Sequence, residues 1–272
     1  MDVSTSPQQP LAVVPHGSFI LALQTSSGRD EKGLHRMDNV VTHMCHLRSK
    51  RASYQPPGNS RTWFAQLTPE AGTLLAAGQS LAGDGPHIPL DQLLGDAAVL
   101  EMRDMLAVQP TVDEQLAQLG LWLEHRLLRR RPLPPAARRA AHVASSLFHT
   151  PAAGIDALAH AHAVSRRQLE RDFKRWLGIS PKRASQVARV QAAVRMGLQG
   201  MRLADVAHAL GFTDQAHLSN VVRDVTGRTP TALLQTARNH ANSKFSHFAG
   251  ADLIYLASAG DAIAQDMPLT HP

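Results

Sequence analysis

GFTDQAHLSNVVRDVTGRTP occupies residues 211–230, and VSRRQLERDFKRWLGISP occupies residues 164–181. The two phrases share one plan. Each opens in a turn with an apolar residue, Phe212 or Val164, and passes a short polar side chain suited to capping a helix. Each then runs through apolar residues four apart and closes on Gly-x-[Ser/Thr]-Pro. The segments upstream agree too. Ile155, Ala159 and Val164 align with Leu203, Ala207 and Phe212 at an offset of 48. Leu169, Phe173, Gly178 and Pro181 align with Leu218, Val222, Gly227 and Pro230 at an offset of 49, so one residue is inserted between. This is a two-copy repeat, and each copy predicts a short helix, a tight turn and a second helix.

The physical chemistry of each copy suits a helix-turn-helix. Ala159 and Ala207 are small enough to let two helices cross closely. Ser165, and Thr213 or Asp214, are placed to accept from the free N–H groups that start the second helix. Leu169 with Phe173, and Leu218 with Val222, face inward. That leaves Arg166, Arg167, Glu170, Arg171 and Lys174 outward in the first copy, and Gln215, Ala216, His217, Ser219, Asn220 and Arg223 outward in the second. Arg, Gln, Asn, His and Ser are side chains that read base edges or hold phosphates.

The charge map points the same way. Residues 1–125 carry 8 Lys/Arg against 13 Asp/Glu, residues 126–245 carry 20 against 6, and residues 246–272 carry three Asp and no Lys/Arg. A strongly basic segment between two acidic ones implies a polyanion partner for that segment alone.

Residues 126–139, RLLRRRPLPPAARR, hold three prolines and six arginines. They cannot form one regular helix, and the charge changes sign there. The reading is an effector-sensing or dimerisation domain over 1–130, a Pro/Arg-rich linker over 131–142, a DNA-binding domain over 143–240 and a tail over 241–272. In the first of these, SFILALQTS (18–26), NVVTHMCHL (39–47) and TWFAQLTPE (62–70) read as strands. LDQLLGDAAVLEMRDMLA (90–107) and VDEQLAQLGLWLEHRLL (112–128) have helical spacing. The fold class is α+β overall: a mixed β-sheet plus helices, then an all-α domain. No apolar run approaches the ~20 residues that span a bilayer, so no membrane is expected. The start of the chain lacks a signal-peptide pattern, and the lone Cys45 excludes an internal disulfide and fits a reducing compartment. The expected localisation is cytoplasmic.

Residues 150–231 resemble the DNA-binding domain of the AraC/XylS family of transcription regulators. The carrying residues are IDALAHAHAVSRRQLERDFKRWLGISPK and LADVAHALGFTDQAHLSNVVRDVTGRTP, joined by RASQVARVQAAVRMGL. The resemblance implies two helix-turn-helix units joined by a long helix, with two recognition helices in successive major-groove turns of double-stranded DNA. It implies base reading at Arg167, Glu170 and Arg171, and at Gln215, Ala216, His217, Ser219 and Asn220. It also implies a cupin-like sensor domain for a small-molecule effector, possible homodimer formation through its helices, and RNA polymerase as a partner if the regulator is an activator. Asn220 stands where the family usually has Arg, Val222 where it has Phe, and Ala184 where it has an aromatic residue. The first unit is therefore expected to supply more affinity and the second to refine sequence choice.

His35, His43, Cys45 and His46 form a soft-ligand cluster. It carries the alternative of a metal or redox sensor, or a DNA-repair alkyl-acceptor, though a metal would need further ligands. No phosphate-binding glycine loop or nucleophile elbow is present. No catalytic residue, metal site or cofactor is assigned, and the chain reads as a regulator and not an enzyme.

Overall fold

The computed structural model describes residues 11–13, 19–26, 40–45, 52–54, 60–76, 88–109, 111–241 and 255–256. The N-terminal strands are β1 (Leu11–Val13), β2 (Phe19–Ser26), β3 (Val40–Cys45), β4 (Ala52–Tyr54) and β5 (Ser60–Leu67). With β6 (Ile88–Pro89), three of them make an antiparallel sheet of order β5-β2-β3-β6, while β7 (Tyr255–Leu256) joins β1 and β4 in a second sheet of order β4-β1-β7. Phe19, Leu21 and Leu23 alternate along β2 and are wholly buried, as is Met44, which faces Leu21 across the β2–β3 pair. Residues two apart point to the same face of a strand, and these side chains belong to the core. Among the described residues the strands form these two small sheets, which do not by themselves show the expected cupin-like architecture.

The strand expected through residue 70 ends at Leu67. Thr68 accepts from the Ala71 N–H and caps α1 (Pro69–Leu75), whose first position is proline, where the missing N–H costs nothing. Gly72 lies against Phe19 of β2, and a Cβ at this position would overlap the ring, so α1 sits close on the sheet. The single helix expected over 90–107 is two, α2 (Leu90–Leu94) and α3 (Asp96–Ala107). Gly95 separates them at φ 84°, a conformation that only glycine adopts cheaply. Thr111 and Glu114 form a reciprocal capping box at the start of α4 (Val112–Leu128). Near its end Arg126 pairs with Glu101 of α3 at 2.6 Å and lies over the Trp122 ring.

The expected linker over 131–142 is non-helical only as far as Pro134. Pro135 opens α5 (Pro135–His149). Alanine-rich sequence and a proline confined to the first helical position favour this outcome. Ala137, Ala140, Val143, Ala144 and Leu147 are wholly buried, so α5 is a core element. It packs on α1 behind it and on two helices of the C-terminal part ahead of it.

That part consists of α6 (Ile155–Ala161), α7 (Arg166–Leu177), α8 (Pro181–Leu198), α9 (Leu203–Ala209), α10 (Gln215–Thr226) and α11 (Pro230–Ala241). α8 contacts α5, α6, α7, α9, α10 and α11. Its small residues follow from this crowding: Ala184, Ser185, Ala188, Ala192, Ala193 and Gly197 are all buried. Residues 242–254 and 257–272 of the expected tail lie outside the described residues.

Candidate nucleic-acid interface

The repeat in the sequence is a repeat in space. α6 and α9 are seven residues each, α7 and α10 twelve each, and the starts are 48 and 49 residues apart respectively. Ala159 and Ala207 are buried where the helices of each unit cross. Ser165 caps α7 by accepting from Gln168 N–H at 3.2 Å; Asp214, not Thr213, caps α10 by accepting from His217 N–H at 2.7 Å. Both second helices end on a glycine in the left-handed region, Gly178 at φ 72° and Gly227 at φ 71°. Leu169 and Phe173 seat α7, and Leu218 and Val222 seat α10, all within 1 % of complete burial.

Two arginines of α8 hold the units together. Arg189 donates to the Pro151 carbonyl at 3.2 Å, ahead of α6, and its guanidinium lies 5.5 Å from the centroid of the Phe212 ring in the second unit's turn. Arg183 ion-pairs with Asp224 of α10. The connecting helix is thus fixed by polar contacts and by its buried faces.

Arg166, Arg167, Glu170, Arg171 and Lys174 are all exposed along α7. Their surroundings differ. Arg166 sits between Asp156 at 3.2 Å and Glu170 at 3.3 Å; the hydrogen bond it donates to Glu170 and then the charge of Asp156 raise its pKa above the ordinary guanidinium value. Arg166 and Glu170 therefore compensate each other. Arg167 and Lys174 form no ion pair among the described residues and present their full charge to solvent. Arg171 donates through Nη2 to the Gln168 side-chain oxygen.

On α10, Gln215, Ala216, His217, Asn220 and Arg223 are exposed and Ser219 is half-buried. Ser219 Oγ donates to the Gln215 carbonyl at 2.9 Å, so its hydroxyl is committed to its own helix. The His217 ring folds back: Nδ1 lies 3.3 Å from Thr213 Oγ1 and the ring meets Phe212 edge-on at 5.3 Å. The side-chain amides of Gln215 and Asn220 have no partner among the described residues and are available to one outside the chain. An amide can bond an adenine edge in two places at once. The arrangement offers bare cations at Arg167 and Lys174 and a tethered arginine at Arg171 on α7, and uncharged donor–acceptor groups on α10.

Asp172, Arg139 and Gln168 escaped the reading of the sequence. Asp172 is buried on α7 and is met by Arg139 of α5 through Nε at 2.8 Å and Nη2 at 2.5 Å. Gln168 Nε2 donates to its other oxygen at 2.7 Å. A signal existed: Asp172 adjoins Phe173 and precedes Trp176 by four, on the flank of the inward stripe, where a carboxylate must find a cation. His35 and His46 lie outside the described residues, while His43 and Cys45 are placed in β3 by its backbone. No group of three or more potential metal ligands occurs among the described residues, and nothing observed there favours the metal, redox or alkyl-acceptor alternative. No helix among them is long and apolar enough to cross a membrane.

Comparison with known proteins places the same segment. A helix-turn-helix domain family matches residues 158–236. The chain is 28% identical over 156 residues to the HTH-type transcriptional regulator RipA of Corynebacterium glutamicum, covering 56% of this chain and 45% of that protein, so it spans under half of that relative's length. Among solved structures it resembles a DNA-binding transcriptional dual regulator from Escherichia coli K-12, at 19% identity and TM-score 0.32 over 36% of this chain and 89% of that one. It also resembles ToxT from Vibrio cholerae O395, at 10% identity and TM-score 0.44 over 84% of this chain and 94% of that one.

Proposed function

We propose that this chain is a regulator of transcription of the AraC/XylS type that sets α7 and α10 into successive major-groove turns on one face of a specific duplex site, a reading supported by the helix-turn-helix match over residues 158–236 and the likeness to an HTH-type transcriptional regulator. The observation that carries this reading is the matched build of the two units, with equal helix lengths, equivalent caps and a shared connecting helix. A helix of eighteen residues spans about 27 Å, comparable with the ~34 Å repeat of the major groove. α7 supplies cations for phosphates and an arginine for a base; α10 supplies amides that choose among sequences. DNase footprinting with the full chain tests it. The expected result is one protected stretch of about two helical turns; no preferred site over bulk DNA would contradict it.

Control by a small effector in the N-terminal part, cupin-like or otherwise, belongs to the same reading. It is supported by a continuous mechanical path. Ser145 of α5 donates to Glu70 of α1 at 2.8 Å, Arg130 donates to the Leu75 carbonyl at 3.1 Å, and α5 continues onto α7. A ligand screen scored by DNA affinity tests it, and a screen in which no compound moves that affinity counts against it. Homodimer formation is supported by α4, where Ala117, Leu121, Glu124 and Leu128 recur at spacings of four, three and four on an exposed face, Leu128 at 78% exposure. Sedimentation of a Leu121→Glu chain tests this, since a monomeric wild type would remove it. In a cytoplasmic activator, RNA polymerase is the further partner, tested by transcription in vitro from a promoter bearing the site.

A further inference from the structure

Arg171 is an outward cation of α7 whose donor is held by the uncharged side chain of Gln168, and what holds it reaches into the core. Its Nη2 donates to Gln168 Oε1, Gln168 Nε2 donates to Asp172 Oδ1 at 2.7 Å, and Arg139 grips Asp172 Oδ2 with two N–H groups. The Asp172 side chain is 5% exposed and that of Arg139 19%. We propose that Asp172 and Gln168 are positioning residues for base reading: the buried carboxylate, anchored from α5 by Arg139, orients the Gln168 amide, and that amide aims the Arg171 guanidinium at its base. The inference rests on the DNA-reading function proposed above.

Donor and acceptor chemistry makes the relay directional. A carboxylate only accepts, so the amide of Gln168 must turn its NH2 inward and its oxygen outward. An outward oxygen attracts a guanidinium; an outward NH2 would repel it. An unconstrained arginine on an exposed helix samples many rotamers, and ordering it on binding costs free energy. Holding it in advance favours the bidentate geometry that a guanine edge requires. Arg167 and Lys174, without such a tether, suit phosphates, where geometry matters less.

The test uses the full chain and the strongest duplex recovered from a random pool, with each base pair then substituted in turn. Wild-type, Arg171→Ala and Gln168→Met chains are compared. Methionine matches glutamine in length and helix propensity and leaves the Arg139–Asp172 pair untouched, so folding is retained and checked by melting. Arg171→Ala should flatten discrimination at one or two adjacent base pairs. Gln168→Met should flatten the same pairs about tenfold, within the range of one good base contact, with binding to non-specific duplex changed less than about twofold. The Arg171→Ala/Gln168→Met double variant should lose no more than Arg171→Ala alone. Full discrimination in Gln168→Met where Arg171→Ala has lost it overturns the relay and leaves the DNA-reading function standing. Loss of binding to every duplex alike shows a merely structural role and also overturns it. A wild-type chain that enriches no duplex overturns the DNA reading, and the relay with it.

Discussion

Ala163 and Gly211 occupy the same place in the two turns, and both are left-handed, at φ 52° and φ 70°. An L-residue with a Cβ is disfavoured there by about 1–2 kcal/mol, whereas glycine is not. A Cβ at Gly211 would meet no other atom within 4 Å, so its replacement tests conformation alone. Ala163→Gly should stabilise the chain by ~0.5–1 kcal/mol after the added freedom of the unfolded state is subtracted, and Gly211→Ala should destabilise it by ~1 kcal/mol. Urea melting of both variants checks this, and shifts of equal sign would contradict it.

Lys174 is exposed and forms no ion pair among the described residues. As a phosphate contact its loss should weaken binding to every duplex by a similar factor. The slope of log K against log salt should fall in magnitude by about 0.9. Titrations of Lys174→Ala at four salt concentrations measure that slope, and a loss confined to one sequence would assign Lys174 to a base instead.

Gln215 and Ser219 share a face of α10, yet their expected contributions differ. The Ser219 hydroxyl is already bonded to the Gln215 carbonyl. Ser219→Ala should therefore change specific affinity by under about 0.5 kcal/mol, and Gln215→Ala should relax sequence preference by ~1–3 kcal/mol at one base pair. Competition binding against substituted duplexes separates them, and equal effects would contradict the assignment.

Removing one partner of a buried ion pair leaves a charge with no compensation, at a cost of roughly 3–5 kcal/mol. Arg139→Ala should destabilise the chain on that scale by stranding Asp172. The double variant Arg139→Met/Asp172→Leu should recover most of the loss, because apolar replacement of both partners is often neutral. Thermal melting of the single and double variants decides it; a double variant no better than the single one would contradict the account.

These expectations divide between what residue order reveals and what only packing reveals. The two units were legible because a repeat fixes register: Gly178 and Gly227, Ala159 and Ala207, Leu169 and Leu218 declare equivalent backbone and burial. The outward positions followed from the inward ones. The break at Gly95 was less legible, since apolar spacing on either side reads as one helix until a positive φ interrupts it. α5 was hidden by its prolines and arginines. Pro134 and Pro135 begin the helix and do not interrupt it, while the alanines behind them bury against α1, α7 and α8. The relay from Arg139 through Asp172 and Gln168 spans residues 33 apart, a contact that no local pattern encodes. Ser219 and His217 likewise have polar atoms whose engagement within α10 and its turn is settled only by rotamer.

The central claim is that α8 fixes two recognition helices one groove repeat apart. Its most direct measurement is the affinity of the full chain for its selected duplex with 5 bp inserted between the two contacted blocks. Half a helical turn carries the second block to the opposite face of the DNA, beyond the reach of α10 while α7 stays bound. The expected result is a fall to the affinity of a duplex carrying the first block alone. Affinity preserved after the insertion would contradict the account.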